Sequence, residues 1–265
     1  MTATDNGRLG LLLDIDGVLY VEKQPIDGAR EALERLRGMS AGLRLLTNTT
    51  SRSRREVFEQ LQAMGFEVSL QEVLTPAAMA VRHCRERGHG SVALLVGEKL
   101  REDLSELEPW SPGGERQPDA VILGDLGEGF TPAVLNDAFR LIMDGAELIA
   151  LQHNRYWRRG DGLALDVGAY AAALEYATGH EALVVGKPAG EFFAAALSDL
   201  GVEHAVMVGD DVEADVGGAM DAGLPGILVR TGKFRHDALT ARVTPTAIVD
   251  SIVDVPELLE RLPPI

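Results

Sequence analysis

"LLLDIDGVLY", Leu11 to Tyr20, sets two carboxylates, Asp14 and Asp16, directly behind three leucines. A short apolar run bounded by polar residues reads as a strand buried on both faces. Two like charges at the edge of such a core disfavour each other's ionisation unless something offsets them. In an ordinary surface turn the pair would need no explanation, and a lone Asp-x-Asp-Gly is a weak signal. The remainder of the chain has to decide.

Outward from Leu9–Leu13, short apolar runs alternate with helical patterns. Gly28 to Arg37 carries Ala29, Ala32, Leu33 and Leu36 at helical spacing, and "LRLLTN" (Leu43 to Asn48) reads as the next strand. A helix from Arg52 to Met64 follows and stops at Gly65. Near the other end come "ALVVG" (Ala182 to Gly186), a helix over Glu191–Leu200, "HAVMVG" (His204 to Gly209), a helix over Glu213–Ala222, and "PGILVR" (Pro225 to Arg230). This alternation predicts an α/β fold, a parallel sheet covered on both faces. The middle repeats it with strands at "SVALLV", "DAVILG" and "AELIAL", then an irregular stretch, "QHNRYWRRGDGLALDVGAY". A second α/β domain over 76–180, inserted into a discontinuous core of 1–75 and 181–265, fits better than one very large sheet.

The chain has 265 residues, enough for such a pair of domains, with 46% hydrophobic and 25% charged residues. Its net charge of −16 argues against nucleic acid or an anionic membrane as partner. The single cysteine, Cys84, allows no internal disulfide and suits a reducing compartment. No apolar stretch reaches the length of a spanning helix, and "MTATDNGRLG" lacks the pattern of a secretory signal. The expectation is a cytoplasmic protein.

In parallel α/β sheets, ligands sit at the carboxyl ends of strands. Asp14 and Asp16, Thr47 and Asn48, Lys187, and Asp210 with Asp211 all fall at or just past such ends, and Asp215 lies one helical turn further on. Clustered carboxylates call for a hard cation, and Mg²⁺ prefers a few carboxylates, waters and phosphate oxygens. One aspartate can attack phosphorus, and a second two residues away can protonate the leaving oxygen and then activate water. Thr47 and Lys187 would donate to the phosphoryl oxygens. The set reads as a phosphoryl-transfer site, locally cationic within an acidic protein. An EF-hand is excluded because Gly17 comes too early, and "GKP" is no P-loop because Pro188 replaces Ser or Thr.

The stretches "LLLDIDGVLY", "LLTNTTSRS", "VVGKP" and "VMVGDDVEADV", in that order, resemble the haloacid dehalogenase (HAD) superfamily of aspartyl-phosphate phosphatases. "LDVGAYAAALEYATG" and "VVGKPAGEFF" are similar to its subfamily IIA, in which an α/β cap of the C2 type is inserted into a Rossmann-like core. The resemblance implies Asp14 as nucleophile, Asp16 as general acid/base, and Thr47, Asn48 and Lys187 on the phosphate. It implies Mg²⁺ held by Asp14, the Asp16 backbone carbonyl and Asp210, with Asp215 positioning metal-bound water. Asp211 stands where many members carry Asn, and falls behind the metal ligands. A small phosphorylated substrate (ester, pyrophosphate or phosphoamide) and a homodimer formed through the cap are further implications.

Other residues carry weaker signals. "NRYWRRGDG" makes Asn154 and Trp157 candidates for substrate selection in the cap, and "LGDLGEGFT" adds Asp125. His83, His89, His153, His180, His204 and His236 show no metal-ligand spacing, and Cys84 and Trp110 read as packing residues. A phosphotransferase or phosphomutase would use the same intermediate, and a non-catalytic phosphate-binding module would keep the fold. Asp16 argues against a dehalogenase, and the intact Asp14, Asp16, Lys187 and Asp210 set argues against a dead module.

Overall fold

The structure is a computed structural model and describes residues 9–113, 116–159, 162–235 and 243–261. The chain opens with β1 (Gly10–Asp14), a small antiparallel hairpin of β2 (Tyr20–Val21) and β3 (Gln24–Pro25), α1 (Ala29–Met39), β4 (Gly42–Leu46), α2 (Arg54–Ala63) and β5 (Val73–Leu74). Next come α3 (Pro76–Arg87), β6 (Val92–Leu95), β7 (Ala120–Leu123), α4 (Pro132–Met143), β8 (Glu147–Ala150), β9 (Tyr156–Arg159), β10 (Gly162–Leu165), α5 (Val167–Thr178) and β11 (Leu183–Val184). It closes with α6 (Gly190–Leu200), β12 (Ala205–Gly209), α7 (Gly218–Asp221), β13 (Gly226–Val229), β14 (Ala247–Val249) and α8 (Val255–Arg261).

These elements form two compact units. The first takes the residues up to Thr47, Arg55–Leu74 and those from Lys187 on. The second takes Asn48–Arg54 and Thr75–Gly186.

The first unit holds a six-stranded sheet in the order β14-β13-β12-β1-β4-β5, parallel throughout. Successive strands run outward from β1 in both directions, so β1 marks the reversal of strand order where ligands bind. Its residues need no alternation, because both faces are covered. Leu11, Leu12 and Leu13 are all buried, and so are Phe192 and Phe193 of α6. In α1, Ala29, Ala32, Leu33 and Leu36 are the buried stripe, as their spacing predicts.

The second unit carries a four-stranded parallel sheet, β11-β8-β7-β6. Its helices start on clear signals: Thr75 caps α3 with Pro76 in the first turn, Thr131 and Pro132 do the same for α4, and Asp166 caps α5. Leu183–Val184 pairs with β8, so residues 181–186 belong to this sheet's edge and not to the core expected from the sequence. Its two paired residues suffice to place them there. "QHNRYWRRGDGLALDVGAY" is not irregular either. It holds the antiparallel hairpin β9–β10 and the start of α5, while 160–161 lie outside the described residues. The hairpin buries no apolar face that would mark it in the sequence: its large apolar residues Tyr156, Trp157, Leu163 and Leu165 are all exposed.

Candidate active site

The last residue of β1 is Asp14, and the residue after β12 is Asp210. Because β1 and β12 are parallel neighbours in register, both carboxylates emerge at the same edge of the first sheet. Asp215 joins them from the turn that follows. The sequence predicts an α-helix over Glu213–Ala222, but Val212–Gly217 winds as a π-helix before the short α7. Val216 N–H reaches back five residues to the Asp211 carbonyl (3.2 Å). Such wider turns are frequent at functional sites. Donor oxygens of Asp14, Asp210 and Asp215 lie within 4.8 Å of one another, all buried.

Lys187 completes the group. Its Nζ stands 2.5 Å from Asp14 Oδ1 and 2.6 Å from Asp215 Oδ1, with the side chain 3% exposed. It reaches the core from the segment between β11 and α6, and not from the end of a core strand.

Burial raises the Asp14 carboxyl above its ordinary range, against the opposing pull of Lys187. Burial, then the Asp14 and Asp215 charges, push Asp210 up to about 8. Burial and the Asp14 charge push Asp215 up to about 6. Lys187 moves the other way: burial disfavours its charge, yet Asp14 and Asp215 more than compensate and keep it an ammonium. Lys187, with the Lys233 ammonium beside Asp211, sets two cations against the four carboxylates of Asp14, Asp210, Asp211 and Asp215, which leaves a deficit of positive charge. Among the described residues, Asp210 Oδ1 is buried with no hydrogen-bond partner. An orphaned buried carboxylate oxygen in an all-oxygen donor set fits a hard divalent cation.

The backbone is shaped around this group by residues that sequence reasoning passed over. Gly17 (φ +93°) and Gly232 (φ +65°) take conformations that side chains rarely adopt, and a Cβ on either would overlap the Asp210 carboxylate. Thr231 Oγ1 donates to the Gly17 carbonyl (2.5 Å), and Lys233 N–H donates to Asp210 Oδ2 (2.6 Å). Thr231, Gly232 and Lys233 follow the end of β13, so the strand-end argument applied to Asp14 would have found them too. Asp211 lies outside the buried triad. Its Oδ1 accepts from Glu213 N and Ala214 N (3.1 and 3.0 Å), which makes it the cap of the π turn. Thr47 is buried just past β4, and Asp16 is partly exposed two residues beyond Asp14.

The other candidates lie in the second unit. Asn48 stands close enough to Gly186 that a Cβ there would approach its Oδ1 to 2.8 Å. Asp125 and Asn154 follow β7 and β8, at the carboxyl edge of the second sheet. Asp125 Oδ1 accepts from Gly127 N (2.9 Å), and Asn154 N–H donates to the Gln152 side chain, whose amide donates in turn to Asp166 (2.5 Å). Trp157 is on β9 of the hairpin, exposed. Cys84 is buried, and burial with the Glu147 and Asp119 charges pushes its thiol up to about 11, which suits packing and not nucleophilic attack. Trp110 packs on the second unit's core and donates to the Arg116 carbonyl (2.9 Å). His236 lies outside the described residues. No helix among the described residues is long and apolar enough to cross a membrane.

Residues 11–108 match the family of haloacid dehalogenase-like hydrolases, and residues 184–255 match a second HAD-hydrolase-like family. Human haloacid dehalogenase-like hydrolase domain-containing protein 2 is 44% identical over 227 residues, 85% of each chain. Rat phospholysine phosphohistidine inorganic pyrophosphate phosphatase is 41% identical over 263 residues, 96% of this chain and 95% of its own. Among solved structures, glycerol phosphate phosphatase from Mycobacterium tuberculosis in complex with magnesium superposes with a TM-score of 0.82 at 30% identity, covering 92% of this chain and 76% of that one. The chain belongs to the haloacid dehalogenase-like hydrolases. Within that family it is a phosphatase, and its relatives favour hydrolysis over transfer to a second hydroxyl.

Proposed function

We propose that the chain is a Mg²⁺-dependent phosphatase of small phosphorylated compounds that works through an aspartyl-phosphate on Asp14. The observation that carries this reading is the buried cluster of Asp14, Asp210 and Asp215 around Lys187 at the carboxyl edge of β1 and β12. Asp14, Asp210 and the Asp16 backbone carbonyl would hold the cation, with Asp215 and Asp211 behind them. When bound, the dication would neutralise the carboxylate excess and polarise phosphate oxygens.

In the first step a carboxylate oxygen of Asp14 attacks phosphorus, and the bond to the leaving oxygen breaks as Asp16 gives that oxygen its proton. In the second, Asp16 takes a proton from water, whose oxygen attacks the same phosphorus. The bond to Asp14 breaks, inorganic phosphate leaves and the carboxylate is restored. Lys187, kept charged by its two carboxylates, holds Asp14 in place and offsets negative charge as it grows on the phosphoryl group. Thr47 and Asn48 would donate to the same oxygens.

The second unit would serve as the C2-type cap, with Asp125, Asn154 and Trp157 selecting the substrate. Exposed Tyr156, Leu163 and Leu165 on its hairpin support self-association through the cap. The relatives' names cover phosphoamide, anhydride and ester substrates, so the substrate class stays at that breadth. The single cysteine suits a cytoplasmic home.

The test is phosphate release from p-nitrophenyl phosphate, pyrophosphate and a panel of sugar phosphates, with and without Mg²⁺, alongside Asp14→Asn. Turnover should require the metal and vanish in the variant. Metal-independent turnover, or an active Asp14→Asn protein, would overturn the mechanism.

A further inference from the structure

Two histidines with no metal-ligand spacing in the sequence meet in the second unit. His83 lies in the last turns of α3, His89 in the turn leading to β6, and Glu147 is the first residue of β8. As β6, β7 and β8 run parallel, the three gather at the amino edge of that sheet, the opposite edge from Asp125 and Asn154.

His83 Nε2 is 3.0 Å and His89 Nε2 2.7 Å from one and the same oxygen, Glu147 Oε2. One donor atom from each residue lies within 4.8 Å of the others. Ligands about 2.0–2.2 Å from a tetrahedral zinc ion stand roughly 3.3–3.6 Å apart, so small side-chain rotations would bring this trio to ligating distance. Among the described residues neither His Nδ1 nor Glu147 Oε1 has a hydrogen-bond partner. The three side chains are 16–28% exposed, open enough for an ion to enter and for a water to complete the shell.

The scaffold is set independently of any ion. His89 N–H donates to the Cys84 carbonyl (2.9 Å), and Asp119 Oδ2 accepts from Gly90 and Ser91 N–H (2.7 and 3.0 Å). Glu147 N–H in turn donates to the Asp119 carbonyl (2.9 Å). Asp119 thus ties the turn bearing His89 to the strand bearing Glu147. Positioning of this kind, one layer behind the ligands, is what metal sites require. Two imidazoles and one carboxylate select a borderline ion such as Zn²⁺ over Mg²⁺ or Ca²⁺, which want oxygen alone.

We propose that His83, His89 and Glu147 form a binding site for a transition-metal dication of the zinc class, separate from the Asp14 cluster. The ion would clamp the end of α3 and the following turn onto the start of β8, bracing the second unit from its amino edge.

The probe is Co²⁺, titrated into the full-length protein in excess Mg²⁺ so that the all-oxygen cluster is occupied by the harder ion. The expected result is the intense visible absorption of four-coordinate Co²⁺, saturating at one equivalent and displaced by Zn²⁺. His89→Gln and Glu147→Gln should lose the band while keeping Mg²⁺-dependent phosphatase activity. Zn²⁺ should raise the thermal midpoint of the wild type and leave both variants unmoved. His83→Gln, checked for an unchanged metal-free midpoint, keeps the test valid if another variant fails to fold. Absence of the band, or its persistence in the variants, overturns the site. A midpoint that answers to pH and not to Zn²⁺ also overturns it, since protonated histidines on Glu147 would then account for the cluster.

Discussion

Replacing Lys187 by Met removes the ammonium buried between Asp14 and Asp215 while keeping most of the side chain's volume. At 2.5 and 2.6 Å, Coulomb's law with an effective dielectric constant near 20 gives about 6 kcal/mol of attraction per contact. Desolvation of three buried groups opposes most of that gain. What remains when one partner of a buried ion pair is deleted is a loss of about 3–5 kcal/mol, because the other charge is left uncompensated. In the metal-free protein, Lys187→Met should therefore lower the urea midpoint at neutral pH with little change in slope. The loss should shrink in acid, where the carboxylates take up protons, and in saturating Mg²⁺, where a dication supplies the missing charge. Turnover measured by phosphate release should fall by about 10²–10³-fold, as for removal of one fixed donor to a developing charge. An unchanged midpoint together with unchanged turnover would refute the placement of Lys187 at the centre of the site. A loss of stability that ignores both pH and Mg²⁺ would refute the electrostatic reasoning.

Asp16→Asn should separate leaving groups: release from alkyl phosphates should drop about 10²–10⁴-fold, the usual worth of a positioned general acid, and p-nitrophenyl phosphate should suffer least because its phenolate needs little protonation. Equal losses on both substrates would remove Asp16 from that role. Stability of the metal-free protein should also depend on pH with a definite sign. The fold raises Asp215 to about 6 and Asp210 to about 8 from an ordinary 3.8, so within that window the folded state binds more protons than the unfolded chain. Stability should then fall as pH rises from about 4 to about 8, and excess Mg²⁺ should restore it most at the upper end. Thermal midpoints in chelator and in Mg²⁺ across that range check this, and a flat or rising profile in chelator would contradict it.

Much of the core was legible because its strands are short and buried on both faces. Such strands appear as apolar runs, and in a parallel sheet the residue after each run lands at the ligand-binding edge. Asp14, Thr47 and Asp210 were placed on that ground, from "LLLDIDG", "LRLLTN" and "HAVMVGDD". In α1 the buried residues Ala29, Ala32, Leu33 and Leu36 are the ones whose helical spacing marks that face, because a 3.6-residue period is a local property of the chain.

Tertiary structure alone decided the rest. Lys187 meets Asp14 across 173 residues, and no local pattern encodes which carboxylates a lysine will join. The strand before it was readable, but only pairing with β8 assigned that strand to the second sheet. The π turn that aims Asp215 depends on where the chain must pack next, since the same residues satisfy an α-helical pattern. His83 and His89 reach Glu147 from 64 and 58 residues away. Their meeting follows from the register of parallel strands, which brings remote strand starts to one edge. The sequence by itself determined which polar residues follow the core's apolar runs; the sheet order determined which of them stand together, because distance in space is set by packing and not by spacing along the chain.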